Sequence, residues 1–432
     1  MTSHLPPEES RRRTIKIWRD VGIWIVLTAV ILGLKLGFEH TEFGNDLRIL
    51  SHKYMLQRLV SNREATSTPI VIVDISEMET EYLSEDKVMY KATPRDKLLN
   101  LIQAIAKQNP RAIGVDIDFS PDEHGYMTPD DPEFFKACLT LSNRKENPIP
   151  VVLGIGRTEA FAPKYWLAAI AYKDLAASIL LPQKDTRKLW EWAKPDAYTV
   201  PTMAAALSKS IWEERSGVPQ KLAWAAHQSS ERDLGHGYLV NEYMVDYSLL
   251  DLLESMRVRT TEPAGIEAQN QLLRDKVVII GNATLGKAMD TFPVPVRQQP
   301  VTGVYLHASG AYTLAMSPLY ELSSKGRLAL DGFLALMIIS AITGIRLLFK
   351  KEVDVHWLQG ALTILVVIIA FVVGLYFVHS THVMWDDFLL VIFALLLHGP
   401  VEKWIGGFWR FLKQDLGPML ERHVFKPKGV RE

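Results

Sequence analysis

The residues of this 432-residue chain whose types and spacing could do chemistry are few, and most are acidic. Asp74 ends the run Pro69-Ile-Val-Ile-Val-Asp74, and Asp116 and Asp118 lie in Ala112-Ile-Gly-Val-Asp-Ile-Asp-Phe119. Gly281 and Asn282 follow Lys276-Val-Val-Ile-Ile, with Asp290 a short way on, and Arg95 comes just after Pro94. Two apart on an extended strand, Asp116 and Asp118 point to the same face. Three or more carboxylates gathered there could hold a hard cation through oxygen ligands. The competing reading is that they cap helices and pair with Arg95. Asp74, Arg95, Asp116, Asp118, Gly281, Asn282 and Asp290 are therefore the candidate ligand-binding set.

Other chemistries find little in the sequence. Gly281-Asn-Ala-Thr-Leu-Gly286 lacks the GK[ST] ending of a phosphate loop, and its glycine spacing fits no dinucleotide fingerprint. There is no GxSxG elbow and no HExxH, and His227 and His236 have no partner at ligand spacing. The single cysteine, Cys138, excludes an intramolecular disulfide framework, a thiolate zinc cluster and a CxxCH haem site. An enzyme built on Asp74, Asp116, Asp118 and Asp290 would have no convincing nucleophile. No catalytic residue, resident metal or cofactor is expected.

The elements that must position the acidic set can be read from periodicity. The runs ending at Asp74 and Phe119, Ile149-Pro-Val-Val-Leu-Gly154 and Lys276–Gly281 are short, apolar and β-branched, which predicts strands. Pro94 opens a helical repeat through Leu98, Leu99, Ile102, Ile105 and Ala106, stopped by Asn109-Pro110. Apolar strands separated by helices predict an α/β domain with a mostly parallel sheet covered on both faces. Right-handed crossovers would bring the loops after Asp74, Phe119, Gly154 and Gly281 to one edge, where open sheets usually bind ligands. Residues 157–250 are rich in Trp, Tyr and Ala, and most of those aromatics are expected in the core.

The ends of the chain differ from the middle. Val21 to Phe38 is apolar apart from Lys35, whose stem can snorkel to the interface, and Arg11, Arg12, Arg13 and Lys16 precede it. A cleaved signal peptide is the alternative, but no A-x-A-like site follows the run. Leu328 to Phe349, Leu358 to Val378 and Val383 to Val401 are further apolar stretches; the last, interrupted by Asp386, Asp387 and His398, could instead be a buried amphipathic helix. Basic flanks around Arg346/Lys350/Lys351 and Lys403/Arg410/Lys413/Arg422 favour four spans by the positive-inside rule. The expected layout is a cytoplasmic basic N-terminus (1–17), transmembrane helices at 18–38, 328–349, 357–378 and 383–402, an extracytoplasmic domain at 39–326, and a cytoplasmic tail at 403–432. Lys+Arg 48 against Asp+Glu 49 gives no reason to expect nucleic acid as a partner.

The order of motifs resembles a known family. Asn45-Asp-Leu-Arg48 is followed by IVIVDIS (70–76), PRDKLLNLI (94–102), GVDIDFS (114–120), KVVIIGNATLGKAMDTFPVP (276–295) and VTGVYLHASGAYTL (301–314). Over roughly residues 16 to 400 this is similar to the type-two CHASE family, an extracellular sensory module of bacterial receptors set between one N-terminal and usually three C-terminal spans. The family's strand-end aspartates match Asp74 and Asp116, and its G-N/A-T…D element matches Gly281, Asn282, Thr284 and Asp290. Its G-V-x-x-H-A element matches Gly303, Val304, His307 and Ala308, while its PxR element matches only as Pro94-Arg95, with Ala92-Thr93 in place of the usual aromatic.

The resemblance implies a sensor in the bacterial inner membrane with a periplasmic or extracellular domain, a small extracytoplasmic ligand, and a possible homodimer. Many members continue into a cyclase, kinase or phosphatase; about thirty residues follow Val401 here, so the expectation is a sensor acting through a protein partner in the membrane or cytoplasm. An accessory subunit of a larger membrane complex, docking through the outer domain, is the alternative.

Overall fold

The computed structural model describes residues 41–333 apart from 61–67, 79–80, 86–87, 121–127, 157–173, 183–185, 196–199, 212–231, 234–236, 288–289, 296, 317–319 and 323–325, together with 383–384 and scattered helical positions within 22–38 and 365–372. The chain divides into two compact units. One comprises Met1–His52, Ser324–Tyr376 and Trp385–Glu432; the other comprises Lys53–Ser323 and Phe377–Met384.

In chain order the described elements begin with α1 (Glu42–Val60), β1 (Ile70–Asp74), the hairpin β2 (Glu81–Glu85) and β3 (Val88–Ala92), and α2 (Arg95–Lys107). Then come β4 (Ala112–Asp116), α3 (Asp131–Ser142), β5 (Val151–Ile155), β6 (Ala176–Ser178), β7 (Lys188–Pro195), β8 (Val200–Pro201) and α4 (Met203–Ile211). The order continues with β9 (Arg232–Asp233), β10 (Gly237–Met244), α5 (Leu250–Ser255), β11 (Val258–Arg259), α6 (Pro263–Glu267), α7 (Asn270–Leu273) and β12 (Val277–Gly281). It closes with β13 (Thr291–Phe292), β14 (Val301–Thr302), α8 (Gly303–Met316), β15 (Tyr320–Glu321) and β16 (Val383–Met384).

The larger unit is built on a six-stranded sheet in the order β11-β1-β12-β4-β5-β6, in which every pairing is parallel. The four strands expected from apolar runs are its centre. Every residue of β1, β5 and β12 is buried, as a sheet covered on both faces requires. Period-two alternation sorts their side chains. Ile70, Ile72, Ala112, Val277 and Ile279 join α4 and α8 on one face, while Val71, Val73, Ile113, Val115, Val278 and Ile280 join α2 and α3 on the other. β12, late in the chain, inserts between β1 and β4, and this places its carboxyl end between theirs.

Helix α2 forms where the repeat predicts it. Leu98, Leu101, Ile102 and Ile105 are buried along one stripe, and the helix stops before Asn109, whose φ of 54° leads into Pro110. Helix α8 is different. Residues 303–313 are all buried, and its sequence is apolar or small all round, the pattern of a helix enclosed by protein. A four-stranded antiparallel sheet, β8-β7-β10-β9, forms from the aromatic-rich segment, and Trp190, Tyr243 and Tyr247 from it are buried.

Gly154 sits where β5 passes the chain leaving β4. A Cβ there would lie 2.5 Å from the Ile117 carbonyl oxygen and 2.7 Å from Ile179 Cγ2. Gly154→Ala is expected to lower stability by about 1–3 kcal/mol, because a backbone oxygen cannot give way as a side-chain end can. Thermal unfolding of the full chain in detergent checks this, and an unchanged midpoint would show that β5 shifts freely.

In the smaller unit, Lys35 and Asp331 are both buried and form an ion pair with each other. Its described apolar positions include exposed Ile25, Val26, Val30, Leu328, Phe333, Leu365 and Val372. The spans expected at 18–38, 328–349, 357–378 and 383–402 lie wholly or largely outside the described residues, as does the tail at 403–432. Among the described residues no helix is long and apolar enough to cross a membrane.

Candidate functional site

The parallel register lines up Asp74, Gly281 and Asp116 across three adjacent strand ends. All three fall on the face covered by α4 and α8. At the middle position no side chain fits: a Cβ on Gly281 would lie 3.1 Å from both Asp116 Cβ and Val304 Cγ2. Glycine there lets the first turn of α8 pack against the end of the central strand.

Asp74 is 5 % exposed and its carboxylate is heavily engaged. It accepts hydrogen bonds from the Ser76 amide (3.0 Å) and hydroxyl, the Ala283 amide (3.1 Å) and the Thr284 hydroxyl (2.8 Å). Arg257 lies 3.6 Å away and donates to the Ala283 carbonyl oxygen at 2.8 Å. Burial alone would raise the Asp74 pKa, but these donors together hold it below the ordinary carboxylate value. The side chain ties β1 to the loop that follows β12. In that loop Gly286 takes a φ of 84°, which glycine adopts without penalty.

Asp116 has a different environment. Its Oδ1 lies 3.6 Å from Nε2 of His307 on α8, beyond hydrogen-bond distance, with the two side chains 11 % and 2 % exposed. Burial pushes the Asp116 carboxyl up to about 7 and the His307 imidazole down to about 4. The charge of Asp290 and the Ile179 backbone oppose the fall of His307. Nδ1 of His307 has no hydrogen-bond partner. Asp290, which keeps solvent access, brings its carboxylate to Gly303 at the start of α8, where a Cβ on Gly303 would overlap Oδ2. Burial first and the Asp116 charge second raise its pKa.

The remaining members of the predicted set are elsewhere. Asp118 Oδ1 accepts from the amides of Ser120 and Gly156, both at 2.9 Å, and so fastens the loop after β4 to the end of β5. Arg95 lies on the α2/α3 side of the sheet. Its Nε donates to Asp131 at 2.6 Å and its guanidinium stacks 4.5 Å above the Phe119 ring, which joins α2 to α3. Asn282 is exposed. The structure thus brings Asp74, Gly281, Asp116 and Asp290 to one end of the sheet and turns Arg95 away from them. Among the described residues no group of three or more His, Cys, Asp or Glu is placed to hold a metal ion.

Two residues of this site are missing from the sequence-derived set. His307 is marked by the resemblance, as the histidine of the G-V-x-x-H-A element, but not by its own spacing, and Arg257 carries no signal at all. Both arrive through strand order rather than local pattern.

No curated protein and no solved structure matches the chain. The CHASE2 domain family matches residues 22–344, about three-quarters of it, from within the first apolar stretch to within the second. The chain therefore belongs to the CHASE2 family of extracellular sensory domains.

Proposed function

We propose that the chain is a membrane-anchored sensor of the bacterial plasma membrane, whose outer α/β domain passes a bound signal through its flanking apolar helices to a partner protein. The observation that carries this reading is the buried Lys35–Asp331 pair. One member lies in each of the apolar stretches that enter and leave the outer domain, 18–38 and 328–349. Charges within such segments are costly unless paired, and paired charges fix how two helices meet. A shift in one helix is then felt by the other. A ligand can exploit this only by preferring one of two arrangements. The outer domain acts by binding, since its strand-end carboxylates Asp74 and Asp118 are spent on holding loops.

Membranes carrying the full chain test the topology. The protein is expected to resist alkaline carbonate extraction, and protease added from outside is expected to digest residues 39–326. Release by carbonate, or protection of that region, would overturn the reading. Native mass in mild detergent tests the partner. A stoichiometric second protein is expected, and a homo-oligomer without companions would remove the relay to a partner.

A further inference from the structure

We propose that Asp116 and His307 form a proton-binding site that sets how helix α8 seats on the central strands, so that the outer domain reads extracytoplasmic pH. This rests on the sensor reading for its purpose, but not for its physics. The geometry is that of a buried acid and a buried imidazole in contact, just beyond hydrogen-bond distance. Oδ1 and Nε2 stand 3.6 Å apart in a nearly dry interface between β4 and α8. A proton held between them makes a hydrogen bond, which closes to about 2.8 Å and draws the helix toward the strand. Once the carboxyl loses its proton, the neutral imidazole can still turn its one N–H toward the oxygen. The interface then encloses a full negative charge close to that of Asp290, and the seating of the helix loosens.

The surrounding groups fit a site that exchanges one proton. Asp290 faces the same point from the loop before β13, at the first residue of α8, and provides the solvent-connected carboxylate through which a proton can pass. Across Gly281, Asp74 on β1 is tied to the Ala283 and Thr284 donors and to Arg257, which fixes its charge and keeps it out of the exchange. Asp118 is bound to the Ser120 and Gly156 amides, facing β5. His307 Nδ1 has no partner in a residue 1 % exposed, so Nε2 is the nitrogen through which the buried ring meets the Asp116 carboxyl. Burial supports the same conclusion by moving both groups toward their neutral forms, with Asp116 at about 7 and His307 at about 4. Between those values the carboxyl is protonated and the imidazole neutral; above them the carboxylate is charged beside a neutral imidazole. Helix α8 is the last described helix before Ser324, where the chain passes into the smaller unit.

Hydrogen exchange of the full chain in detergent, corrected for intrinsic rates, reads the seating directly. Peptides covering 303–316 are expected to exchange about threefold more slowly at pH 6 than at pH 8, while those covering α2 do not change. In Asp116→Asn the response is expected to vanish or reverse, because only the histidine then titrates. In His307→Gln it is expected to steepen. Protection of 303–316 that is independent of pH in the parent chain overturns the proposal without any variant being needed. So does a parent-like response in Asp116→Asn. These outcomes concern the outer domain alone. A carbonate-released protein would sink the membrane reading while leaving this one standing, and a flat exchange profile would do the reverse.

Discussion

Asp74→Ala is expected to cost the outer domain about 3–5 kcal/mol, on the order of 10 °C in unfolding midpoint, the largest loss at the strand ends. The substitution removes the acceptor for two backbone amides and two hydroxyls at once. It also leaves Arg257, whose Nε already lacks a partner, as a buried cation without its carboxylate. Each orphaned buried donor costs about 1–3 kcal/mol, and the loop after β12 loses its attachment to β1. Asp74→Asn should fall between the two, since an amide keeps one acceptor oxygen but sets an NH2 against donors. The pH dependence has a definite sign. The folded-state pKa lies below the ordinary value of 3.8, so the stabilisation is present above that value and is lost as pH falls through the folded one. Urea unfolding of the parent and the two variants at pH 7 and at about pH 3 checks both statements. A neutral Asp74→Ala would mean that the clamp is dispensable and that Asp74 is free for another role.

How much of this was legible in the sequence follows from which forces are local. The four central strands and α2 were readable because burial on both faces writes continuous β-branched runs, and one-sided burial writes a helical stripe. The acids at the strand ends marked the edge where loops gather. Strand order was not readable. β12 sits between β1 and β4, and that insertion alone puts Gly281 between Asp74 and Asp116 and His307 beside Asp116. Arg95 shows the same limit from the other side. Its position at the start of α2 suggested reach toward the acidic edge, but Asp131 on α3 is nearer and buried with it. The edge strands β6 and β11 are three and two residues long, too short to write a pattern. Helix α8, apolar all round, gives no stripe for periodicity to find.

Asp116→Asn and His307→Gln are expected to tilt stability against pH in opposite directions. The folded Asp116 carboxyl titrates near 7 against an ordinary value of 3.8, so the unfolded chain ionises first and the fold loses stability as pH rises between the two. His307 titrates near 4 against 6.5, so the unfolded chain protonates first and the fold loses stability as pH falls between those values. Each slope is about 1.4 kcal/mol per pH unit, and from roughly pH 4 to 6.5 they cancel, leaving the parent nearly level across that window. Removing one member exposes the other. Asp116→Asn should gain up to about 4 kcal/mol at pH 8, where the parent buries a full carboxylate, and should lose that gain on acidification. His307→Gln should gain at pH 4.5 and fall steadily toward pH 7. Urea unfolding at pH 4.5, 6 and 8 separates the slopes. Parallel profiles for both variants would show that the groups are solvated in the folded chain, and the buried couple would then have no hold on the seating of α8.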